Sequence, residues 1–327
     1  MKNILMLTYN LADSCSFYRA AGIVKDLEKK DSDLRFTFVE WDKFDTTWLV
    51  TGFDLVIMQR AFCKQAQVLA HYLKECRIPL WVDWDDDLFH LNEENPAYDL
   101  YSDPSLIESM KTILGLADIV TIPTEYLRQV LVELNPRIEI IPNAFNDRLF
   151  KRPDILSQRT NQVCWRGPSA HTADLMAYSE QVSQLMDDYP DWGFLFLGFN
   201  PWFIKKPNRG YEGMRDLVIY HKRLIEMAPS AVHIPLLDNI FNRCRSNVAY
   251  LEATYAGAVT ICPDWWEAPG ALQYTNTQEY FQALDEVLSG RADKVKQNNI
   301  AWEYIQDCRL LSKVNIKRLE IINELIS

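Results

Sequence analysis

The sequence of 327 residues lacks the features that mark membrane proteins and disulfide-stabilised proteins. No run of apolar residues approaches the ~18 that a membrane-spanning helix needs, and the apolar run that follows Met1-Lys2-Asn3 is too short for a signal peptide. The 7 cysteines are odd in number, widely spaced and never arranged as a CxxC pair, which argues against a disulfide framework and a zinc site. We therefore expect a cytoplasmic protein with reduced thiols and no membrane span.

An excess of positive charge is also missing. The chain has 34 Lys and Arg against 45 Asp and Glu, a net charge of −11, so its overall field does not attract a polyanion. Residues 1–150 carry 15 basic and 24 acidic side chains, net −9, whereas residues 151–327 carry 19 and 21, net −2. The second half is therefore the better candidate for phosphate binding, and charge disfavours nucleic acid as a partner.

Short apolar runs alternate with amphipathic stretches along the whole chain. The runs predict strands at 4–8, 35–40, 53–58, 79–84, 118–122, 138–141, 162–165, 194–197, 232–235 and 258–261. Helices are predicted between many of them, including 17–30 and 171–188, and the tail over 298–326 is strongly helical. Strands that alternate with helices are typical of βαβ units and a mostly parallel sheet.

A polar, charged stretch at 146–161 indicates a linker between two similar halves. We predict an α/β fold with two Rossmann-like domains that face each other across a cleft. The predicted domains span residues 1–150 and 151–305, and residues 306–327 form a C-terminal helix that packs back towards the first domain. Ligands of open α/β sheets bind outside the carboxyl ends of the strands, so the cleft is the expected site.

The stretch 243–263 predicts a helix, a turn at Gly257 and a buried strand. Polar residues occupy the expected start of this helix: Arg243, Arg245, Ser246 and Asn247. Unpaired backbone N–H groups and the helix dipole favour an anion there. Glu252 is a lone carboxylate between Leu251 and Ala253, and it needs a partner if it is buried. An anion and a hydroxyl donor held by these groups together describe a nucleotide sugar.

Arg166 and His171 follow the first predicted strand of the second half, in Trp165-Arg166-Gly167-Pro168-Ser169-Ala170-His171. A strand, a glycine turn and a helix start that carry Arg are suited to a diphosphate, because the guanidinium fork matches phosphate oxygens. An ordinary turn with a solvated Arg is the alternative. Tyr18 and Arg19 lie after the first strand, where they reach a phosphate or an acceptor, or else pack the helix.

The densest acidic run is Asp83-Trp84-Asp85-Asp86-Asp87, followed by His90. Neighbouring carboxylates repel one another, which raises a pKa for acid–base chemistry or creates a cation site. We assign a role in the cleft to Asp85, Asp86 and Asp87. Two alternatives stay open: a DxD manganese site of the single-domain glycosyltransferase fold, and a helix N-terminus enriched in Asp.

Taken together, these pieces resemble glycosyltransferases of the two-Rossmann GT-B fold, group 1 or family-4-like, in a compact bacterial or phage variety. The resemblance rests on residues 118–124 with 141–146, on Trp165-Arg166-Gly167 with His171 and Asp174, and on 251–261. It implies a hexosyl- or pentosyltransferase that moves a sugar from a nucleoside diphosphate sugar, above all a UDP-sugar, to a glycan or another hydroxyl acceptor. It also implies retention of configuration and no metal or other cofactor.

The resemblance also implies roles for individual residues. Glu252 would accept hydrogen bonds from the ribose hydroxyls and Arg166 would meet the diphosphate. Ser246 and Asn247 would lie near the sugar phosphate, residues 234–236 near the base, and the acidic run with His90 near the acceptor. The usual E-x7-E pair is absent because position 244 is Cys244. No Lys occupies the expected place after Arg166, so Arg243 or Arg245 substitutes for it.

Two other functions stay open on the same residues. The basic and aromatic loop near Lys205 permits transfer onto modified phage DNA bases, although the acidic first half disfavours that acceptor. The missing Glu at position 244 permits a nucleotide-sugar-binding protein that has lost its activity.

Overall fold

A computed structural model describes residues 1–45, 47–48, 52–153, 159–213 and 216–327 of the chain. The first half contains the strands β1 (Lys2–Thr8), β2 (Leu34–Glu40), β3 (Leu55–Gln59), β4 (Leu80–Asp83), β5 (Ile119–Ile122) and β6 (Ile138–Ile140). They form one parallel sheet in the order β2-β1-β3-β4-β5-β6. The predicted linker at 146–161 includes residues 154–158, which lie outside the described residues.

Helices cover both faces of this sheet. They are α1 (Ser14–Arg19), α2 (Ala21–Lys30), α3 (Lys64–Cys76), α4 (Tyr98–Tyr101), α5 (Pro104–Leu116) and α6 (Glu125–Leu131). Leu5 and Leu7 belong to the apolar cluster on one face, while Ile4 and Met6 belong to the cluster on the other. Side chains of a strand alternate between faces, so a strand buried on both sides is apolar throughout, as the sequence pattern indicated.

The second half repeats the design. Its strands are β7 (Thr160–Arg166), β8 (Gly193–Gly198), β9 (Arg209–Gly213), β10 (Pro229–His233), β11 (Val259–Pro263) and β12 (Leu272–Tyr274). They form a parallel sheet in the order β12-β11-β10-β7-β8-β9. The α/β prediction with two parallel-sheet, Rossmann-like halves is confirmed, but strands β9 and β12 were not predicted because one is polar with two glycines and the other has three residues.

The helices of the second half are α7 (Thr172–Ala177), α8 (Ser179–Asp188), α9 (Leu217–Met227), α10 (Ile240–Cys244), α11 (Val248–Tyr255), α12 (Thr277–Leu288), α13 (Lys294–Tyr304) and α14 (Leu311–Ile326). The single helix predicted at 171–188 is divided at Tyr178, whose buried hydroxyl donates to the Leu236 carbonyl at 3.0 Å. The helix predicted at 17–30 is divided at Ala20. There a Cβ on Gly22 would stand 2.0 Å from the Phe17 carbonyl oxygen, so the bend requires glycine.

The C-terminal segment crosses from the second half back to the first. A π-helical turn at Ile305–Arg309 ends α13, and α14 then packs its Val314 and Ile322 into the cluster that holds Ile23 and Leu27 of α2. Asn315 Nδ2 donates to the Ile23 carbonyl at 2.9 Å. In the described part of the chain, no helix combines the length and the apolar character needed to cross a membrane.

The two sheets direct their ligand-binding edges at each other. Strand order reverses between β1 and β3 in the first sheet and between β7 and β10 in the second. Ligands of such folds bind outside the carboxyl ends of the strands at this point of reversal. Tyr18, which follows β1, donates a hydrogen bond to Glu252, which follows β10, so the two reversal points meet.

Two glycines with left-handed backbone offer a matched test of the packing at the end of α11. Gly257 has φ +77°, and a Cβ there would collide with the Arg159 guanidinium, which donates to the Ala256 carbonyl at 2.6 Å. Gly290 has the same φ with nothing within 4 Å of a Cβ.

We expect Gly290→Ala to lower the free energy of unfolding by about 1 kcal/mol, the cost of a left-handed Cβ. Gly257→Ala should lower it by about 1 kcal/mol more, because the Arg159 hydrogen bond is lost as well. Chemical denaturation of both variants measures the difference. Equal losses would contradict the role given to Arg159.

Candidate functional site

A cavity of about 110 Å³ lies between the halves, at the carboxyl ends of their parallel strands. The first half contributes Tyr18, Arg19, Asp85, Asp86 and Asn143, and the second contributes Arg166, His171, Ile234, Leu236, Arg245 and Ser246. A larger cavity of about 370 Å³ adjoins it, shares Arg166 with it and is also lined by Glu252. Predicted site residues from both halves therefore line two adjoining cavities.

Glu252 lines the larger cavity and joins the two halves. Its carboxylate is buried, and its Oε2 atom accepts from Arg166 Nε at 2.7 Å and from the Tyr220 hydroxyl at 3.2 Å. Its Oε1 atom accepts from the Tyr18 hydroxyl of the first half at 2.8 Å. Burying a carboxylate is costly unless it is paired, and this one has a cation and two hydroxyl donors.

The two tyrosine hydroxyls that bind Glu252 stay protonated. Burial, and after it the charge of Glu252, raise the pKa of Tyr18 and of Tyr220 well above the usual phenol value. Both hydroxyls therefore keep their protons and donate to the carboxylate. Glu252 Oε1 carries a single hydrogen bond among the described residues, so it has a lone pair for one ligand hydroxyl.

Two guanidinium groups give the cavity positive charge. Arg166 directs its Nε and Nη2 at Glu252, which leaves three of its five N–H groups for a ligand within the described structure. Arg245 packs over the Phe241 ring at 5.2 Å and forms no ion pair with any described residue. Arg166 therefore keeps part of its hydrogen-bonding capacity for a ligand, and Arg245 has no ion pair with a described residue that a ligand would have to displace.

The N-terminus of α11 adds to this charge. Val248 and Ala249 line the cavity, and N–H groups in the first turn of a helix have no partner within it. Ser246, just before the helix, accepts from Asn143 Nδ2 of the first half at 2.8 Å. Asn247 is buried and serves the fold, since it donates to the Glu267 carbonyl and accepts from Arg309, both at 2.6 Å. The arrangement can bind an anion such as a diphosphate.

His171 forms a buried pair at the edge of the cavity. Its Nδ1 lies 2.9 Å from Asp174 Oδ2, while Asp174 Oδ1 accepts from the Leu237 N–H and from Asn242. Burial, and after it the positive charge of Arg245, lower the pKa of His171. The imidazole is therefore neutral at pH 7, with Nδ1–H facing Asp174 and Nε2 able to accept a hydrogen bond.

Arg19 is a structural residue as well as a wall of the cavity. It is buried, and its Nε and Nη2 form a two-point pair with Asp83 at 2.9 and 2.7 Å. Its Nη1 donates to the Ile141 carbonyl at 2.5 Å and to Asn143. These contacts use most of the guanidinium donors, so its contribution to ligand binding is smaller than that of Arg166 or Arg245.

The acidic run is divided between two environments. Asp85 and Asp86 line the cavity and are bound by Arg60, whose Nε and Nη2 lie 2.7 and 2.8 Å from them. Asp87 is fully buried and accepts from the Phe89 N–H and from His90, at 3.0 and 2.9 Å. The run is therefore a set of separate pairs, and the described residues contain no group of three or more His, Cys, Asp or Glu that could hold a metal ion.

Arg243 and Cys244 lie on α10, outside α11, the helix that carries Glu252. Arg243 forms an ion pair with Asp238 and packs over the rings of Tyr126 and Trp265, at 5.7 and 5.2 Å. Cys244 is buried beside Asp87, with Sγ 3.9 Å from Oδ2. The single helix predicted from Arg243 onward is thus divided, because the backbone is extended at Arg245.

Sequence reasoning missed several residues of the site. Tyr220, Arg60 and Asn143 each contact a predicted residue, but the sequence gives Tyr220 and Arg60 no distinguishing signal. Tyr220 lies on an ordinary amphipathic helix, and Arg60 follows an ordinary buried strand. Asn143 and Asp174 did have a signal, since each belongs to the residues on which the family resemblance rests.

Solved structures with the same architecture share little sequence with this chain. The UDP-GlcNAc 2-epimerase from Neisseria meningitidis bound to UDP-GlcNAc matches with a TM-score of 0.57 and 12% identity, over 99% of each chain. The apo lipopolysaccharide outer core galactosyltransferase WaaB matches with a TM-score of 0.57 and 12% identity, over 98% of this chain and 99% of the other. The S. aureus MnaA–UDP co-structure matches with a TM-score of 0.54 and 13% identity, over 92% of each.

No protein-family model matches the chain, and no curated sequence matches it. The structural matches show that the chain has the GT-B fold of glycosyltransferases and nucleotide-sugar epimerases, with two parallel-sheet domains. A shared fold does not fix the activity, which depends on the site.

Tyr18→Phe removes the hydrogen bond that joins Glu252 to the first half. We expect the free energy of unfolding to fall by about 1.5–3 kcal/mol, the usual worth of a hydrogen bond to a charged group. Tyr211→Phe is the control, because Tyr211 is 44% exposed. Chemical denaturation measures both, and equal stability of the two variants would show that the Tyr18 bond does not hold the halves together.

Proposed function

We propose that the protein is a glycosyltransferase that moves a sugar from a nucleoside diphosphate sugar to an acceptor hydroxyl. The observation that carries the proposal is the grouping of Arg166, Arg245 and the first turn of α11 around the cavity between the halves. Three sources of positive charge that converge on one point suit a diphosphate, and the first half supplies the opposite wall for an acceptor.

The same groups suit the chemistry of transfer. In the reaction the bond between the anomeric carbon and the diphosphate oxygen breaks, the acceptor oxygen bonds to that carbon, and the acceptor proton passes to an oxygen of the departing diphosphate. Negative charge develops on the departing diphosphate, and preorganised donors stabilise it most where water is excluded. Arg166, Arg245 and the α11 amides fill that role without a metal, which makes the proposed reaction metal-independent.

We assign the rest of the donor to neighbouring residues. The open lone pair of Glu252 Oε1 suits one ribose hydroxyl, and we assign the base to residues 234–236, of which Ile234 and Leu236 line the cavity between the halves. We assign the sugar phosphate to the neighbourhood of Ser246, which lines the cavity between the halves. Related folds hold UDP in the MnaA structure and UDP-GlcNAc in the Neisseria epimerase, which supports UDP as the nucleotide. Retention of configuration is proposed on the resemblance to family-4-like enzymes.

The acceptor side of the cavity is formed by Asp85 and Asp86, which face the donor groups across it. Burial opposes the charge of Asp85, but Arg60 outweighs that effect and the pKa of Asp85 is lowered. Asp85 therefore stays ionised at neutral pH and can accept a hydrogen bond from an acceptor hydroxyl. Asp87 and His90, which pair with each other outside this wall, position the loop.

The direct test is turnover of UDP-sugars with and without acceptors. The protein is incubated with UDP-glucose, UDP-galactose and UDP-GlcNAc, and released UDP and sugar products are measured by chromatography. Release of UDP that rises with an added acceptor supports the proposal. Formation of a 2-epimer without an acceptor, or binding of UDP-sugars with no product at all, would overturn it in favour of an epimerase or an inactive binding protein.

Arg245 and Arg243 form a matched pair for the donor site, two residues apart on the same segment. We expect Arg245→Ala to weaken UDP binding about 10- to 100-fold, because hydrogen bonds to a charged group are lost. Arg243→Ala should leave UDP affinity within a factor of two to three, since Arg243 is paired with Asp238 away from the cavity. Isothermal titration calorimetry with UDP measures both. The reverse order would contradict the assignment.

A further inference from the structure

We propose that a cavity within the first half binds the acceptor, and that the acceptor is a neutral saccharide. The cavity has a volume of about 240 Å³ and lies at the carboxyl ends of β1 and β3, where the strand order of the first sheet reverses. Ligands of α/β sheets bind at this place. The ligand's role as an acceptor rests on the proposed function. Binding of a saccharide in this cavity does not depend on it.

The cavity opens towards the donor groups. Cys15 lines both this cavity and the one between the halves, and Asp13 lines both this cavity and the larger one beside Glu252. Arg60 lines it as well and binds Asp85 and Asp86, which form the acceptor side of the central cavity. A ligand in this cavity therefore has a short path to the departing diphosphate.

Three aromatic rings form one wall. The rings of Tyr9 and Phe62 are stacked at 4.4 Å with an interplanar angle of 10°, and Tyr101 meets Phe62 edge-on at 5.0 Å. Such a wall offers apolar surface to the C–H face of a sugar ring. The volume is below the ~300–1,000 Å³ of sites for drug-sized ligands, so one sugar ring fits and a longer chain extends outward.

The floor carries neutral hydrogen-bonding groups. Gln59 is 3% exposed, lines the cavity, and accepts the Thr8 hydroxyl proton at 2.6 Å. Among the described residues its amide nitrogen has no acceptor, so a buried side chain is left with two N–H groups and a cavity beside it. These N–H groups are open to the cavity, and sugar hydroxyls are acceptors that a ligand in an aromatic-walled cavity would bring to them.

Charge selects a neutral ligand. Arg60 is the cation of the lining, and its guanidinium is already bound to Asp85, Asp86 and the Cys15 sulfur, at 2.7, 2.8 and 3.2 Å. With Asp13 the neighbourhood has three carboxylates against this one guanidinium, and residues 1–150 have a net charge of −9. A phosphate group would meet uncompensated repulsion here, which disfavours DNA and phospholipid acceptors.

Tyr101→Ala tests the aromatic wall, with Tyr98→Ala as the matched control in the same short helix and Tyr101→Phe as the variant that keeps the ring. The probes are methyl glycosides of glucose, galactose and N-acetylglucosamine, a 20-base-pair DNA duplex and anionic phospholipid vesicles. Binding is measured by saturation-transfer NMR and calorimetry, and turnover by release of UDP from UDP-sugars.

We expect Tyr101→Ala to weaken binding of a neutral glycoside about tenfold, while Tyr98→Ala and Tyr101→Phe keep it and all three variants keep UDP affinity. Binding of DNA or vesicles in place of glycosides, or glycoside binding unchanged in Tyr101→Ala, would overturn the inference. Glycoside binding without any turnover would leave the saccharide site standing and refute the transferase. Turnover of UDP-sugars that Tyr101→Ala leaves unchanged would support the transferase and refute the saccharide site.

Discussion

The structure depends on one buried carboxylate. Glu252 is held by Arg166 and Tyr220 of its own half and by Tyr18 of the other, so a single charge belongs both to the proposed donor site and to one of the contacts that join the two halves. Removing any one donor leaves a buried carboxylate less compensated, and burial makes an unpaired charge costly. In the proposed function, ligand binding and domain arrangement share the same atoms, since a ribose hydroxyl would compete with or join the Tyr18 hydrogen bond.

The arginine side chains near the cavities differ in whether they already form ion pairs. Arg19 is committed to Asp83, Arg60 to Asp85 and Asp86, and Arg243 to Asp238, so these three stabilise the fold. Arg245 has no ion pair among the described residues, and Arg166 keeps N–H groups free beside its pair with Glu252. The positive potential offered to a ligand therefore comes from the second half, whereas the first half offers aromatic and neutral polar surface.

Much of the fold could be predicted because strands buried on both faces are continuously apolar. Strand β9 was not predicted because Arg209–Gly213 is polar and contains glycine. The break at Ala20 was not predicted because it depends on a close contact at Gly22. At the site, a lone Glu in an apolar helix and an Arg after a strand could be singled out. Their pairing could not, because Arg166 and Glu252 are 86 residues apart and meet only through the fold. Neighbours in the acidic run look alike in sequence, but the turn after β4 places Asp85 in the cavity and buries Asp87.

The measurement that tests the central claim most directly is a crystal structure of the protein with UDP. The diphosphate should lie within hydrogen-bond distance of Arg166, Arg245 and the backbone N–H groups of Val248 and Ala249, and a ribose hydroxyl should donate to Glu252 Oε1. UDP bound at another surface, with Arg166 and Glu252 unchanged and the cavity between the halves unoccupied, would contradict the assignment of the donor site.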